Sequence, residues 1–132
     1  MRPSKIVLRL SLIISLLTLG MLSDLSSKPE SSLIRHVVCF KFKKTASPSE
    51  IEKVERAFSD LPALIEDIHS LEWGTNNSPE GLDKGFTHCF IVSFKNPEAR
   101  KKYLPHPDHQ KFVSLLKPIL DDVFVIDFTP QL

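Results

Sequence analysis

The sequence predicts one α+β domain over residues 33–130, with a four-stranded, antiparallel-rich sheet and helices on one of its faces. Three observations carry this reading. Segments 34–43 and 86–94 place their residues on two faces with a period of two, the mark of a strand. Between them, Ser47, Pro48 and Glu50 open a stretch whose apolar residues recur at helical spacing. The elements then run β-α-β-β-α-α-β along the chain.

In segment 34–43, His36, Val38, Phe40 and Phe42 share one face, and Val37, Cys39, Lys41 and Lys43 share the other. Ser47 is a favourable N-cap, Pro48 suits the first helical position, and Glu50 completes a capping box. Ile51, Val54, Phe58 and Leu61 form one apolar stripe, and Leu61-Pro62 is expected to end the helix. A second strand is expected over 68–73, ending at Gly74, with Trp73 in the core. Residues 74–85 are rich in turn formers and read as a long connection.

Segment 86–94 directs His88, Phe90, Val92 and Phe94 one way, and Thr87, Cys89, Ile91 and Ser93 the other. Asn96-Pro97 starts a short helix through Tyr103. Pro105 and Pro107 break it, and His106-Pro107 starts a further helix carrying Phe112, Leu115, Leu116 and Ile119. A last strand is expected over 123–128, stopped by Thr129-Pro130. Two crossover helices on one face of such a sheet make a ferredoxin-like β-α-β-β-α-β sandwich. The chain supplies no cover for the other face, so pairing with a second copy is expected.

The first 27 residues are set apart by composition. Arg2, Lys5 and Arg9 precede a short apolar run ending at Leu22. This is the pattern of a signal peptide, or of an N-terminal membrane anchor through residues 6–22 if it stays uncleaved. The run falls short of the roughly 20 apolar residues that a spanning helix needs. A secreted, periplasmic or membrane-anchored location is the expectation, with 28–32 as a linker. Residues 28–132 carry 14 basic and 15 acidic side chains. Such a balance argues against a nucleic-acid partner. The two cysteines, Cys39 and Cys89, both fall inside strand patterns. They can pair in an oxidising setting, but the reading favours free thiols that act as small buried hydrophobes.

The pieces IRHVVCFKFK (34–43), EWG (72–74), GFTHCFIVSF (85–94), YLPHPDHQKF (103–112) and VIDFTP (125–130) resemble the stress-responsive dimeric A/B barrel domain family. The resemblance spans 33–130 with every element in order. It implies a dimeric α/β barrel built by joining two sheets. The family includes plant stress proteins and an olivetolic acid cyclase-like branch that closes a polyketide by aldol condensation. Carried over from that branch, the working residues are Tyr103, His109 and Asp127, with His36 and His88 lining the cavity. The segment between the first helix and second strand is slightly longer here. The export-like leader is also foreign to a cytosolic polyketide pathway.

The residue chemistry agrees with such a site. His109 lies in the first turn of its helix, where the dipole disfavours imidazolium and suits a general base. Asp127 is expected to hold the other ring nitrogen of His109, and the Tyr103 hydroxyl to donate to an oxygen that gains charge on enolisation. A small apolar or aromatic carbonyl ligand is expected between sheet and helices, against His36, Phe40, His88 and Phe90. The plain alternative gives these residues structural work only: caps, satisfied strand histidines and core rings. No cofactor is implied. His106 and His109 are three apart, but Pro107 and the want of a third ligand nearby argue against a metal.

Overall fold

The computed structural model describes residues 32–131. The leader assigned to 1–27 and nearly all of the 28–32 linker lie outside the described residues. The elements run β1 (Ile34–Phe42), α1 (Pro48–Ser59), α2 (Leu61–Leu64), β2 (Ser70–Thr75), β3 (His88–Phe94), α3 (Pro97–Tyr103), α4 (Pro107–Leu116), a 3-10 turn (Lys117–Ile119) and β4 (Leu120–Phe128). The sheet order is β2-β3-β1-β4, with every neighbouring pair antiparallel. This is the expected ferredoxin-like sandwich.

The helix boundaries follow from their caps. Ser47 accepts from the Glu50 amide while the Glu50 carboxylate accepts from the Ser47 amide, so the box is complete. Asn96 caps α3 through the Ala99 amide, and His106 caps α4 through the Asp108 amide. One expectation changes at Pro62. Helix α1 already ends at Ser59, and Pro62 begins the short helix α2 in place of closing a longer one. Proline needs no amide partner in a first turn, so a new start accommodates it.

The core lies between the sheet and the helices. Phe40, Phe58, Phe90 and Phe112 form one ring cluster. Phe58 stacks on Phe90 with centroids 4.2 Å apart and 15° between planes, and Phe112 closes on Phe58 at 4.6 Å. Val38, Val54, Val92 and Phe94 complete the layer. Trp73, expected in the core, and Leu115 both lie outside it. Trp73 lies on the outermost strand and is 40% exposed, with one face laid on Phe90. Leu115 points away from the stripe of Phe112 and Leu116 and is exposed. Strand β2 also lies two residues later than expected, because its register pairs Trp73 with Phe90 and Gly74 with Cys89.

The second sheet face carries Val37, Cys39, Ile91, Phe124, Ile126 and Phe128, as the strand registers require. Phe124, Ile126 and Phe128 are about half exposed. No element among the described residues covers them.

Candidate functional site

Three elements converge beside the ring cluster. Strand β1 presents His36, β4 presents Asp127 directly across from it, and α3 brings Arg100 and Tyr103. The His36 ring donates from Nδ1 to Asp127 Oδ1 at 2.7 Å, and Arg100 donates to Oδ2 of the same carboxylate at 2.6 Å. Asp127 is thus held from both sides, which fixes the His36 ring and its tautomer. Tyr103 packs edge-on to His36 with centroids 6.0 Å apart. On its other side it meets His109 at 4.3 Å.

This corrects one expected contact. Asp127 serves His36 and Arg100, not His109. The His109 Nδ1 donates to the Leu104 carbonyl oxygen at 2.8 Å, inside the turn between α3 and α4. That bond leaves Nε2 as the basic nitrogen of the neutral ring. Burial lowers the His109 pKa below the ordinary imidazole range, and His36 and His106 lower it further, against the Leu104 bond, which raises it. Tyr103 is 1% exposed, and burial raises its pKa. No group among the described residues hydrogen-bonds its hydroxyl.

His88 stands apart from this group. It faces Phe40 across the sheet, four residues along β1 from His36, or roughly 13 Å. Its Nε2 donates to Glu55 Oε1 at 2.9 Å, and its Nδ1 accepts from Thr87 at 2.8 Å in the neutral ring. Trp73 lies over it at 6.2 Å. Both nitrogens are occupied, so His88 is a satisfied strand histidine. Phe40 and Phe90 are 1% and 0% exposed and are filled by Phe58 and Phe112, so their rings are core. Apolar surface on the helix side lies instead along β4. Val123 and Val125 share that side with Phe40 and Val38 by register, yet are 43% and 51% exposed.

A cavity of about 660 Å³ lies on the other side of the sheet, lined by Cys39, Trp73, Phe86, Cys89, Ile91 and Phe124 among others. It is separate from the Tyr103 group. Among the described residues no three metal-ligating side chains converge.

The sequence reading missed Arg100 and Glu55. Arg100 lies three residues before Tyr103, on the same side of α3, which is the one local signal for it. Glu55 offers no such signal, because its partner is brought to it by the packing of α1 on β3.

His109 also ties stability to pH. A histidine whose pKa falls on folding takes up protons more readily when unfolded. Its stabilising share is therefore present above the unfolded pKa of about 6.5 and is lost as pH falls below it. His109→Gln is expected to lose less stability than the parent between roughly pH 7 and pH 5, read from urea midpoints. Identical pH dependence in the two proteins would show that the ring is not held neutral by burial.

An antiparallel 4-1-3-2 type sheet with its helices on one face and an apolar second face is the architecture of dimeric α+β barrels. The Stress responsive A/B Barrel Domain family model matches residues 34–130, and the chain belongs to that family. It is 37% identical over 97 residues to a stress-response A/B barrel domain-containing protein of Arabidopsis thaliana, covering 74% of this chain and 89% of that relative. It is 24% identical over 98 residues to the olivetolic acid cyclase of Cannabis sativa, covering 74% of this chain and 97% of that enzyme. It superposes with a TM-score of 0.63 on a dimeric ferredoxin-like protein of unknown function from Thermobifida fusca, at 28% identity, covering 74% of this chain and 90% of that one.

Proposed function

We propose that this protein is a homodimer whose protomers each bind a small apolar or aromatic carbonyl compound on the helix side of the sheet, at Tyr103 and His109. The Tyr103 hydroxyl carries the reading. Its ring is buried, no group among the described residues hydrogen-bonds the hydroxyl, and its oxygen is not sealed from solvent, so a ligand carbonyl oxygen placed there would accept from it. His109 Nε2 and the His36–Asp127–Arg100 chain supply further polar groups beside it. The exposed Val123 and Val125 offer an apolar floor. The dimer is supported by the uncovered apolar face and by the dimeric state of the Thermobifida fusca neighbour.

A second reading, enzymatic acid–base chemistry of the cyclase or aldol type, is favoured by the His109 tautomer. Nε2 removes a proton alpha to the carbonyl while Tyr103 donates to the oxygen that gains the charge. The olivetolic acid cyclase of Cannabis sativa supports this reading as a similar protein with a cyclase name. The apolar run in residues 6–22 supports an exported or anchored setting for the dimer, testable by N-terminal sequencing of the mature protein.

Calorimetric titration of the full chain with acetophenone and its ring-hydroxylated derivatives tests the pocket. Binding is expected, about tenfold weaker in Tyr103→Phe. Equal affinity in that variant, or no binding by the parent, would retire the site and leave a structural assembly module. Proton exchange at the methyl group of bound acetophenone, followed by NMR in deuterated water, separates the second reading. His109→Ala should abolish any acceleration while keeping the fold.

A further inference from the structure

Building on the carbonyl site at Tyr103 and His109, we propose that Arg100 makes that site selective for carbonyl compounds that also carry a carboxylate, a short aryl keto acid being the simplest. Four side chains form a closed circuit there. Arg100 and Tyr103 lie three residues apart on one side of α3, a spacing that sets Cβ atoms roughly 5–6 Å apart. Tyr103 packs edge-on against His36, His36 donates to Asp127 Oδ1, and Arg100 donates to Oδ2 of the same carboxylate. The guanidinium thus comes back to the rim of the space beside the Tyr103 ring.

Three observations separate Arg100 from an ordinary structural ion pair. Its pairing with Asp127 is one-pronged, through a single nitrogen and a single oxygen, because His36 takes the other oxygen. Among the described residues the guanidinium makes no other hydrogen bond. An arginine fork carries five N–H donors in a plane, so an edge of it is left for a second, bidentate acceptor of carboxylate shape. The side chain is also 32% exposed, so that edge can be reached. Lys101 and Lys102 adjoin Arg100 in the last turn of α3, and Lys102 meets its acid, Asp67, only at 3.8 Å. Glu98 lies in the first turn, and the dipole at the C-terminal end of α3 offsets about half a charge. The rim therefore keeps a positive field that draws anions.

The ligand is then held at two points. Tyr103 donates to its carbonyl oxygen, and the free edge of Arg100 donates two parallel N–H bonds to its carboxylate. The apolar part rests on Val123 and Val125. The second anchor fixes the direction in which the carbonyl compound lies, with its carboxylate toward α3. A carbonyl compound without the acid keeps only the Tyr103 contact.

The test compares 3-benzoylpropionate and benzoylformate with their methyl esters, by calorimetric titration of the full chain at about pH 7.5, where both acids are ionised. Each ester keeps the ring and the carbonyl and loses the charge. The parent is expected to bind at least one acid about tenfold or more tightly than its ester, with the advantage shrinking as salt rises to about 0.5 M. In Arg100→Gln the acid-to-ester ratio is expected to fall to about one, and Arg100→Lys, which keeps the charge but not the fork, should lie between. Circular dichroism of each variant checks the fold. Equal affinity for acids and esters in the parent, or a ratio that survives Arg100→Gln, would overturn the proposal and leave the Tyr103 site in place, with Arg100 as a clasp between α3 and β4. A parent that binds neither the acids, the esters nor acetophenone would instead remove the Tyr103 site, and the proposal with it.

Discussion

Phe58→Ala is expected to remove about 3–5 kcal/mol of folding stability, a large part of the 5–15 kcal/mol typical of a domain this size. The magnitude follows from where the ring sits. Phe58 comes from α1, which packs on the sheet beside α4, and it is 1% exposed. It stacks on Phe90, lies 4.6 Å from Phe112 and reaches Phe40 at 6.0 Å. Truncation removes a ring whose neighbours come from β1, β3 and α4, so no single element can shift to fill the space. Phe124→Ala is the contrasting variant. That ring is 51% exposed on the other face, and its loss from a dissociated protomer should cost under about 1 kcal/mol. Urea unfolding of both variants at a concentration that keeps the chain monomeric checks the pair. A cost below about 1 kcal/mol for Phe58→Ala would mean that the ring cluster is not the core of this fold.

The Phe58 stripe also shows what the sequence made legible and what it did not. Period-two patterns in β1 and β3, the Ser47 capping box and the Asn96-Pro97 and His106-Pro107 starts are local signals. All of them appear in the structure, although β3 begins at His88, two residues later than its pattern suggests. Periodicity reports the side a residue faces, but not how deep it lies. Phe40 and Phe90 were placed correctly toward the helices, yet whether they lined a ligand or filled the core depended on α1 and α4 closing over them. Trp73 has the composition of a core residue but lies on an outer strand, where one of its faces stays wet. The beginning of β4 was hidden because the apolar run that marks it starts only at Val123, after Asp121 and Asp122. Pairing of Asp122 with Lys41 makes that stretch strand all the same.

The site was legible as residue types and illegible as partners. His36, Tyr103 and His109 do come together, but the choice of histidine for Asp127 was set by the β1–β4 register. That register joins residues 91 positions apart in the chain. No spacing within the sequence carries that information. His109 was expected to be neutral because of a helix N-terminus, whereas burial is the larger cause. The two arguments agree in sign, so the expectation held for a partly different reason.

Ile91→Asp is expected to split the dimer, weakening association by at least about a hundredfold. Ile91 lies on a central strand, on the face that carries Val37, Cys39, Phe124 and Ile126. In a two-fold dimer each substitution occurs twice, so two carboxylates would have to be desolvated at once without cationic partners. Ile91 also faces Glu72 across β2, so some loss of protomer stability is expected as well. Ile126→Asp avoids that complication, because its direct partner is Val37 and it is already 51% exposed in the protomer. Both variants should run as monomers in sedimentation velocity, while Leu64→Asp, on the exposed side of α2, should remain dimeric. If Ile126→Asp stays dimeric while folded, the interface lies off this face. The apolar side chains of β4 would then need a different cover, since a strand with five large hydrophobic residues exposed is a standing risk of edge-to-edge aggregation.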